Sequence, residues 1–393
     1  MKKPDIFVIN LLIEIFQLPF WWWQKIHRRD PKTWLFGAWF GKAYSDSARK
    51  MYEYVLEEHP EINAIWITES ESLYNKLLSD NKPVVLKGTK ESKRTCLKAG
   101  YLFVTVTVNE FERLYINGAK QIWLWHGMPL KKVGADMNLS YTFKEKIHLL
   151  FPQNKVNRPD YFISLGKPWN DIMTNAFSAK NVIDFGLPRN DVFFEQDITP
   201  FIKNLNEQFN YPLKILYMPT FRDTQFKDKK AFNPFETFDF SMKKIETCLN
   251  ENNAVLLYKG HFYDLLYQKN NNTDNSRFII LNESMYSDLY SLIRDIDILM
   301  TDYSSVYFDF LLLKKPVILA PFDKEDYCSK SRALYFDYDQ AIEGVRAYNW
   351  DDFIKIINEK SYYTPSQNTR EKYHQFQDGN SSKRITDFVL NLK

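Results

Sequence analysis

Four short stretches of this 393-residue chain combine side chains able to move a proton or hold an anion. The first runs Trp123-Leu124-Trp125-His126-Gly127-Met128-Pro129-Leu130-Lys131-Lys132. An apolar run leads straight into a histidine, Gly127 lets backbone approach, Pro129 stops the strand and two lysines follow. Imidazole suits proton exchange near neutral pH. A satisfied structural histidine at a strand end is the alternative, and the Gly, Pro and Lys neighbours weigh against it. The second stretch, Gly186-Leu187-Pro188-Arg189-Asn190-Asp191, offers a turn with Arg189 and Asp191, or else an ordinary turn with a local Arg–Asp pair. The third, Tyr217-Met218-Pro219-Thr220-Phe221-Arg222-Asp223, puts Thr220 and Arg222 after an apolar run, where a guanidinium fork can grip phosphate. Lys259-Gly260-His261 follows the next such run. The fourth, Thr301-Asp302-Tyr303-Ser304-Ser305-Val306, ends a buried strand and opens a helix. Ser304 and Ser305 are natural caps, and helix-opening N–H groups favour an anion.

Other chemistries lack their residues. There is no GxGxxG and no GxxxxGK[ST], so the usual dinucleotide and P-loop sites are excluded. Asp295-Ile296-Asp297 looks like a metal-binding pair but reads as a helix-to-strand turn, and no HExxH or clustered His/Cys set exists. No G-x-S-x-G elbow is present. The expectation is no metal and no cofactor.

The elements that must position these residues alternate. Ser45–Glu58, Glu69–Ser79 and Glu91–Ala99 have helical spacing. Asn63–Thr68, Pro83–Lys87, Tyr101–Val108, Gln121–Trp125, Asp160–Ile163 and Asn181–Asp184 read as short buried strands. A second series follows. Leu213–Met218, Ala254–Tyr258, Phe278–Leu281, Ile296–Met300 and Pro316–Ala320 are strands, and Phe240–Asn250, Met285–Ile293 and Val306–Leu313 are helices. Apolar runs separated by helices predict parallel sheets covered on both faces. The expected organisation is an N-terminal segment 1–30, a Rossmann-like domain 31–194, a second Rossmann-like domain 195–365 and a C-terminal helix 366–393 able to pack back on the first domain. The boundary is placed in the polar, Pro-containing Glu195–Tyr211. Doubly wound sheets bind ligands outside the carboxyl ends of their strands, so the four stretches sit where a cleft between two such domains would take substrate.

Composition narrows the class. Lys+Arg 52 against Asp+Glu 49 gives a net charge of +3, which does not by itself suggest nucleic acid; that would need a concentrated basic face. Three scattered cysteines, Cys96, Cys248 and Cys328, imply reduced thiols rather than a disulfide framework. Aromatic residues make up 17%, and part of that content is concentrated in residues 6–23, IFVINLLIEIFQLPFWWW. Asn10, Glu14, Gln17 and Pro19 interrupt this run, so it is neither a signal peptide nor a membrane span. Trp21, Trp22 and Trp23 followed by Lys25, Arg28 and Arg29 suit an amphipathic helix lying in a membrane interface; packing on the protein's own surface is the alternative.

Taken together, WHGMPLKK, GLPRND, YMPTFRD, the Lys-Gly-His segment and TDYSSVYFDFLLLKKPV resemble the CDP-glycerol glycerophosphotransferase family, the teichoic-acid primases and polymerases with relatives in capsule synthesis. Gly41-Lys42-Ala43-Tyr44-Ser45-Asp46 is similar to that family's early Gly-Lys-x-Tyr-Ser-Asp stretch. One departure is Phe262, where the family commonly has proline. The resemblance implies a GT-B fold, with acceptor bound in the first domain and CDP-activated donor in the second. It implies transfer of glycerol phosphate from CDP-glycerol to a hydroxyl of a lipid-linked acceptor, releasing CMP, without a metal. A CDP-ribitol donor, or another nucleotide donor on the same scaffold, is the alternative. By motif, His126 would be the general base, and His261 and Arg222 would stabilise the donor pyrophosphate. Ser304 and Ser305, with Asp302, Thr220, Lys259 and Gly260, would bind the nucleotide and its phosphates. Gly127, Lys131, Arg189 and Asp191 would line the acceptor side. The implied place is peripheral, on the cytoplasmic face of the cell membrane, and an oligomer is compatible with it.

Overall fold

Parallel strands dominate the computed structural model, which describes residues 6–137, 142–220, 233–260, 276–330 and 333–392. In the first half, strands β1 (Asp30–Phe36), β2 (Asn63–Thr68), β3 (Val84–Leu86), β4 (Ala99–Val104), β5 (Lys120–Trp123), β6 (Tyr161–Ser164) and β7 (Val182–Asp184) form one sheet in the order β3-β2-β1-β4-β5-β6-β7. In the second half, β8 (Leu213–Met218), β9 (Ala254–Tyr258), β10 (Phe278–Ile280), β11 (Ile298–Thr301), β12 (Val317–Leu319) and β13 (Val345–Arg346) form another, in the order β10-β9-β8-β11-β12-β13. All pairings within the two sheets are parallel. Two doubly wound α/β units are therefore present. Strand order reverses between β1 and β4 in one, and between β8 and β11 in the other. A ligand crevice opens at that point in such sheets.

The strands form because their side chains are buried on both faces. All four of Trp34, Leu35, Phe36 and Phe103 are fully buried, and Phe36 stacks on Phe103 with ring centroids 4.5 Å apart. Burying each such ring is worth about 1.5–3 kcal/mol. In the second unit Ile215, Tyr217, Ile245, Leu249 and Phe353 surround Trp350, whose indole N–H donates to the Pro234 carbonyl at 2.6 Å. The helix Trp350–Glu359 turns its buried face, Trp350, Phe353, Ile356 and Ile357, onto that cluster.

The central strand β1 is absent from the sequence-based expectation. Its first four residues, Asp30-Pro31-Lys32-Thr33, carry no apolar alternation, and only its last three are plainly core. The strand expected over Tyr101–Val108 stops at Val104. The Glu110 carboxylate accepts the N–H groups of Thr105 and Val106, at 2.9 and 2.8 Å, and so removes them from the ladder.

Pro200–Phe209 is a helix with proline in its first turn, a position where its missing N–H costs nothing. One compact unit comprises the chain up to His126, Gly134–Asp191 and Asp378 onward; the other comprises Gly127–Val133 and Val192–Gln377. The expected C-terminal helix 366–393 is two helices, Gln367–Tyr373 and Ser381–Leu390, separated around Gly379 with φ 67°.

Residues Ile6–Ile26 form a helix of 21 residues. One face is docked on the first unit. Glu14 meets His148 at 2.9 Å and Asn154 at 2.7 Å, the Gln24 amide donates to the Leu114 carbonyl at 2.7 Å, and Trp21 is buried. The opposite face is apolar and outward: Val8, Ile9, Leu12, Ile13, Ile15, Phe16, Trp22, Trp23 and Ile26 are exposed, Phe16 by 82% and Ile26 by 83%. Among the described residues no helix is long and apolar enough to cross a membrane.

Candidate active site

In the first unit β5 ends at Trp123, and His126 lies three residues beyond its carboxyl end. Its presentation is strained. Trp125 adopts φ 54° and Gly127 φ 124°. Left-handed backbone costs a non-glycine residue roughly 1–2 kcal/mol, and such strain concentrates at functional positions. The Trp125 conformation is held by packing of its buried indole on Phe177 (4.5 Å) and Trp123 (6.0 Å). The His126 ring lies 4.0 Å from Trp125 and 5.2 Å from Trp39 by centroids.

Trp39 comes from the loop after β1. Glu110, beneath that loop, is fully buried. Burial pushes its carboxyl up to about 8, against the opposing pull of N–H donors from Thr105, Val106, Thr107 and Phe40. The Thr105 hydroxyl donates to the Gly37 carbonyl at 3.1 Å, so the ends of β1 and β4 are tied together.

The second unit uses the same device. The Thr301 hydroxyl, at the end of β11, donates to the Met218 carbonyl, at the end of β8, at 2.7 Å. The buried Asp302 carboxylate accepts the N–H groups of Thr220 at 2.7 Å and Tyr303 at 2.6 Å. Asp302 therefore ties the loop after β8 to the loop after β11. Ser304 and Ser305 follow, both partly exposed. Ser304 does the capping: its Oγ accepts the Val306 N–H at 3.4 Å, and its carbonyl accepts the Tyr307 N–H at 3.3 Å. Ser305 already has helical φ and ψ and makes no side-chain cap. Lys259 and Gly260 follow β9, the neighbour of β8, and the Lys259 N–H bonds the Tyr217 carbonyl at 2.9 Å. Thr220, Lys259, Gly260, Asp302, Ser304 and Ser305 thus occupy the carboxyl ends of three adjoining parallel strands, β9, β8 and β11. Arg222 and His261 lie outside the described residues.

Two expected acceptor-side residues have other employment. Arg189, 4% exposed, is paired with Asp46 at 3.1 Å. Asp191, 7% exposed, accepts the Ser381 and Ser382 N–H groups at 2.9 and 2.8 Å and the Ser382 hydroxyl at 2.7 Å. It caps the helix Ser381–Leu390, whose own N-cap Asn380 makes no side-chain capping bond and instead donates its amide to the Asp378 carbonyl at 3.0 Å. Gly186 is required there, because a Cβ would come within 2.6 Å of the Ser381 hydroxyl. The GLPRND stretch therefore ties Asp46 and the helix Ser381–Leu390 together within the first unit. Gly127 and Lys131 fold with the second unit, where the backbone of Leu130–Lys132 pairs with Ala333–Tyr335.

At the N-terminus Trp22, Trp23 and Arg28 face outward, whereas Trp21 and Arg29 do not. The Arg29 guanidinium donates to the carbonyls of Cys96, Tyr115 and Asn117 at 2.5, 3.2 and 2.6 Å, and burial lowers its pKa to about 10. Asp295 and Asp297 accept the backbone N–H groups of Thr199 and Lys214 at 2.8 and 2.9 Å. Among the described residues no group of three His, Cys, Asp or Glu side chains is placed to hold a metal ion. Cys96 and Cys248 are buried and free, their thiols pushed up by burial to about 12 and 11.

Two features escaped the sequence reading. Trp39 and Phe40 sit between Gly37 and Gly41, a spacing that marks an unusual loop. Glu110 carried no signal, because nothing local shows that a glutamate in Val108-Asn109-Glu110 turns inward.

Comparison with known proteins adds the family. The chain is 30% identical to the teichoic acid poly(glycerol phosphate) polymerase of Bacillus subtilis over 91% of its own length and 48% of that protein's. It is 29% identical to the protein of the same description from Bacillus spizizenii, over 92% of this chain and 93% of the other. It therefore spans about half the length of the first relative and most of the second. The wall teichoic acid polymerase TagF has a similar fold, with a TM-score of 0.74 over 98% of this chain and 95% of that one at 22% identity. The match to the family described as CDP-Glycerol:Poly(glycerophosphate) glycerophosphotransferase covers residues 21–391, and this chain belongs to that family.

Proposed function

We propose that the chain transfers glycerol phosphate from CDP-glycerol to a hydroxyl of a lipid-linked teichoic-acid or capsule acceptor, releasing CMP. His126 takes the acceptor hydroxyl's proton as the oxygen attacks the glycerol-bearing phosphorus. The bond from that phosphorus to the bridging oxygen breaks, and its electron pair leaves with CMP. Negative charge on the transferring phosphoryl is met by N–H groups and hydroxyls at Ser304 and Ser305 and, by motif, by Arg222 and His261. The reading uses no metal ion, and the two units take the roles of acceptor and donor domains of a GT-B transferase. Its main support is the placement of His126 at the carboxyl edge of the first sheet, directly after Trp125, whose backbone is held in the left-handed region.

The outward apolar face of the N-terminal helix, with Lys25 and Arg28 beside it, supports peripheral attachment to an anionic membrane, where a lipid-linked acceptor resides. The decisive experiment incubates the purified chain with a lipid-tailed acceptor and either CDP-glycerol or CDP-ribitol, with and without chelator. CMP release and a product heavier by one glycerol phosphate, undiminished by chelator, are expected with CDP-glycerol. Turnover of CDP-ribitol alone reassigns the donor, loss of turnover in chelator reinstates a metal, and no CMP from either donor removes the reading.

A further inference from the structure

Two separate stretches of left-handed backbone bring indoles to one imidazole. Trp39, in the loop after β1, has φ 48°, and Trp125, after β5, has φ 54°. The two strands are not neighbours, since β4 lies between them. Both indoles nevertheless reach the His126 ring, with centroids 5.2 and 4.0 Å away and planes tilted by 45° and 37°. Left-handed backbone is costly for a residue with a Cβ. For Trp125 the buried indole explains part of it, through packing on Phe177 and Trp123. Trp39 is 39% exposed, so its conformation does little for the core, and the ring it meets is His126. Its loop is fixed all the same. The Gly41 carbonyl accepts the Thr68 hydroxyl at 2.7 Å and the Glu69 N–H at 2.8 Å, and the Phe40 N–H donates to the Glu110 carboxylate.

Resting on the role proposed above for His126, we infer that Trp39 is a positioning residue for this base. With Trp125, its indole holds the imidazole in one orientation and favours the protonated ring, so that His126 keeps the proton it takes from the acceptor hydroxyl. A tryptophan face attracts a cation within about 6 Å of its centroid, and more strongly than the other aromatic rings. Cover by an indole also removes water, which opposes charge. His126 is only partly buried, however, and Trp39 is itself exposed, so the attraction of the face prevails. The charged groups on the surrounding elements are Lys42 and Glu69, paired at 3.7 Å, the buried Glu110, Asp171 on the helix Asn170–Phe177, and Lys131 and Lys132 further along the chain. Their fields are screened by salt, whereas an indole in contact with the ring is not.

The test follows the carbon-13 resonance of the His126 ring against pH in wild type, Trp39→Phe and Trp39→Leu, the signal being assigned by its absence from His126→Gln. The acidic limb of kcat/KM for CMP release is measured alongside. Leucine keeps apolar cover without a ring face. Trp39→Leu is expected to lower the His126 titration midpoint by about half a unit to one unit, at low salt and at about 0.5 M salt alike. Trp39→Phe falls between. The acidic limb moves to lower pH by the same amount, kcat falls about three- to tenfold, and KM for donor and acceptor stays within about twofold. An unmoved or raised midpoint in Trp39→Leu overturns the inference, even if the variant melts earlier. A shift that vanishes in salt overturns it too, as does a loss confined to acceptor KM. The titration needs no substrate. A shifted His126 with no CMP released leaves the effect of the indole standing and removes the proposed reaction instead.

Discussion

His126 illustrates how a residue is made available for chemistry: the backbone on either side of it is forced into left-handed territory, and Trp125 is held there by aromatic packing. His126→Ala is expected to cost at least ~10²-fold in rate, the usual scale for a lost general base. Near-normal CMP release by a folded variant would remove the assignment. Glu110 makes a second prediction. Its carboxyl holds a proton more tightly in the folded chain, at about 8, than in the unfolded one. The sign follows directly. Its contribution to stability is complete below the ordinary glutamate range and is lost as pH rises through about 8. Thermal melts from pH 5 to pH 9 should show a decline that Glu110→Gln flattens. An unchanged slope in the variant would assign the decline to other groups.

At the scale of elements, the helix Ser381–Leu390 begins on a borrowed cap. Asp191→Ala removes three acceptor bonds to Ser381 and Ser382. A loss of about 1–3 kcal/mol in urea unfolding is expected, the scale of a deleted cap that also orphans buried donors. A variant as stable as wild type would mean that Asn380 or water replaces the cap. The N-terminal helix makes the complementary case, since polar contacts hold its inner face and its outer face is left apolar. Phe16→Ser, Trp22→Ser and Ile26→Ser together should abolish flotation with anionic vesicles without unfolding the chain, because all three side chains are exposed. Equal flotation of the triple variant would show that this face does not meet lipid.

At the scale of the whole molecule, each unit joins its two switch-point strands in the same way, by a threonine hydroxyl to the opposite carbonyl and a buried carboxylate to backbone N–H groups. The resulting strand ends are stiff platforms, one presenting His126 and Trp39, the other presenting Ser304 and Ser305. A combined Ser304→Ala and Ser305→Ala change should weaken CDP-glycerol affinity about tenfold by calorimetry and leave acceptor KM unaltered. Equal donor affinity would discard the anion role.

Much of this was legible in the chain itself. Apolar runs placed β2, β8 and β9 to the residue, since a strand buried on both faces is apolar over most of its length. The motif set identified the family, because His126 and the serines lie just beyond strand ends, where parallel sheets place ligands. Tertiary structure alone decided which polar residues turn inward. Arg189 and Asp191 look like ligand-facing groups in sequence, yet Asp46 lies 143 positions away along the chain and Ser382 lies 191. A buried charge is settled by its partner, and partners that distant leave no local pattern. The same holds for Glu110, and for β1, whose polar first half becomes a central strand only because neighbours on both sides supply its ladder.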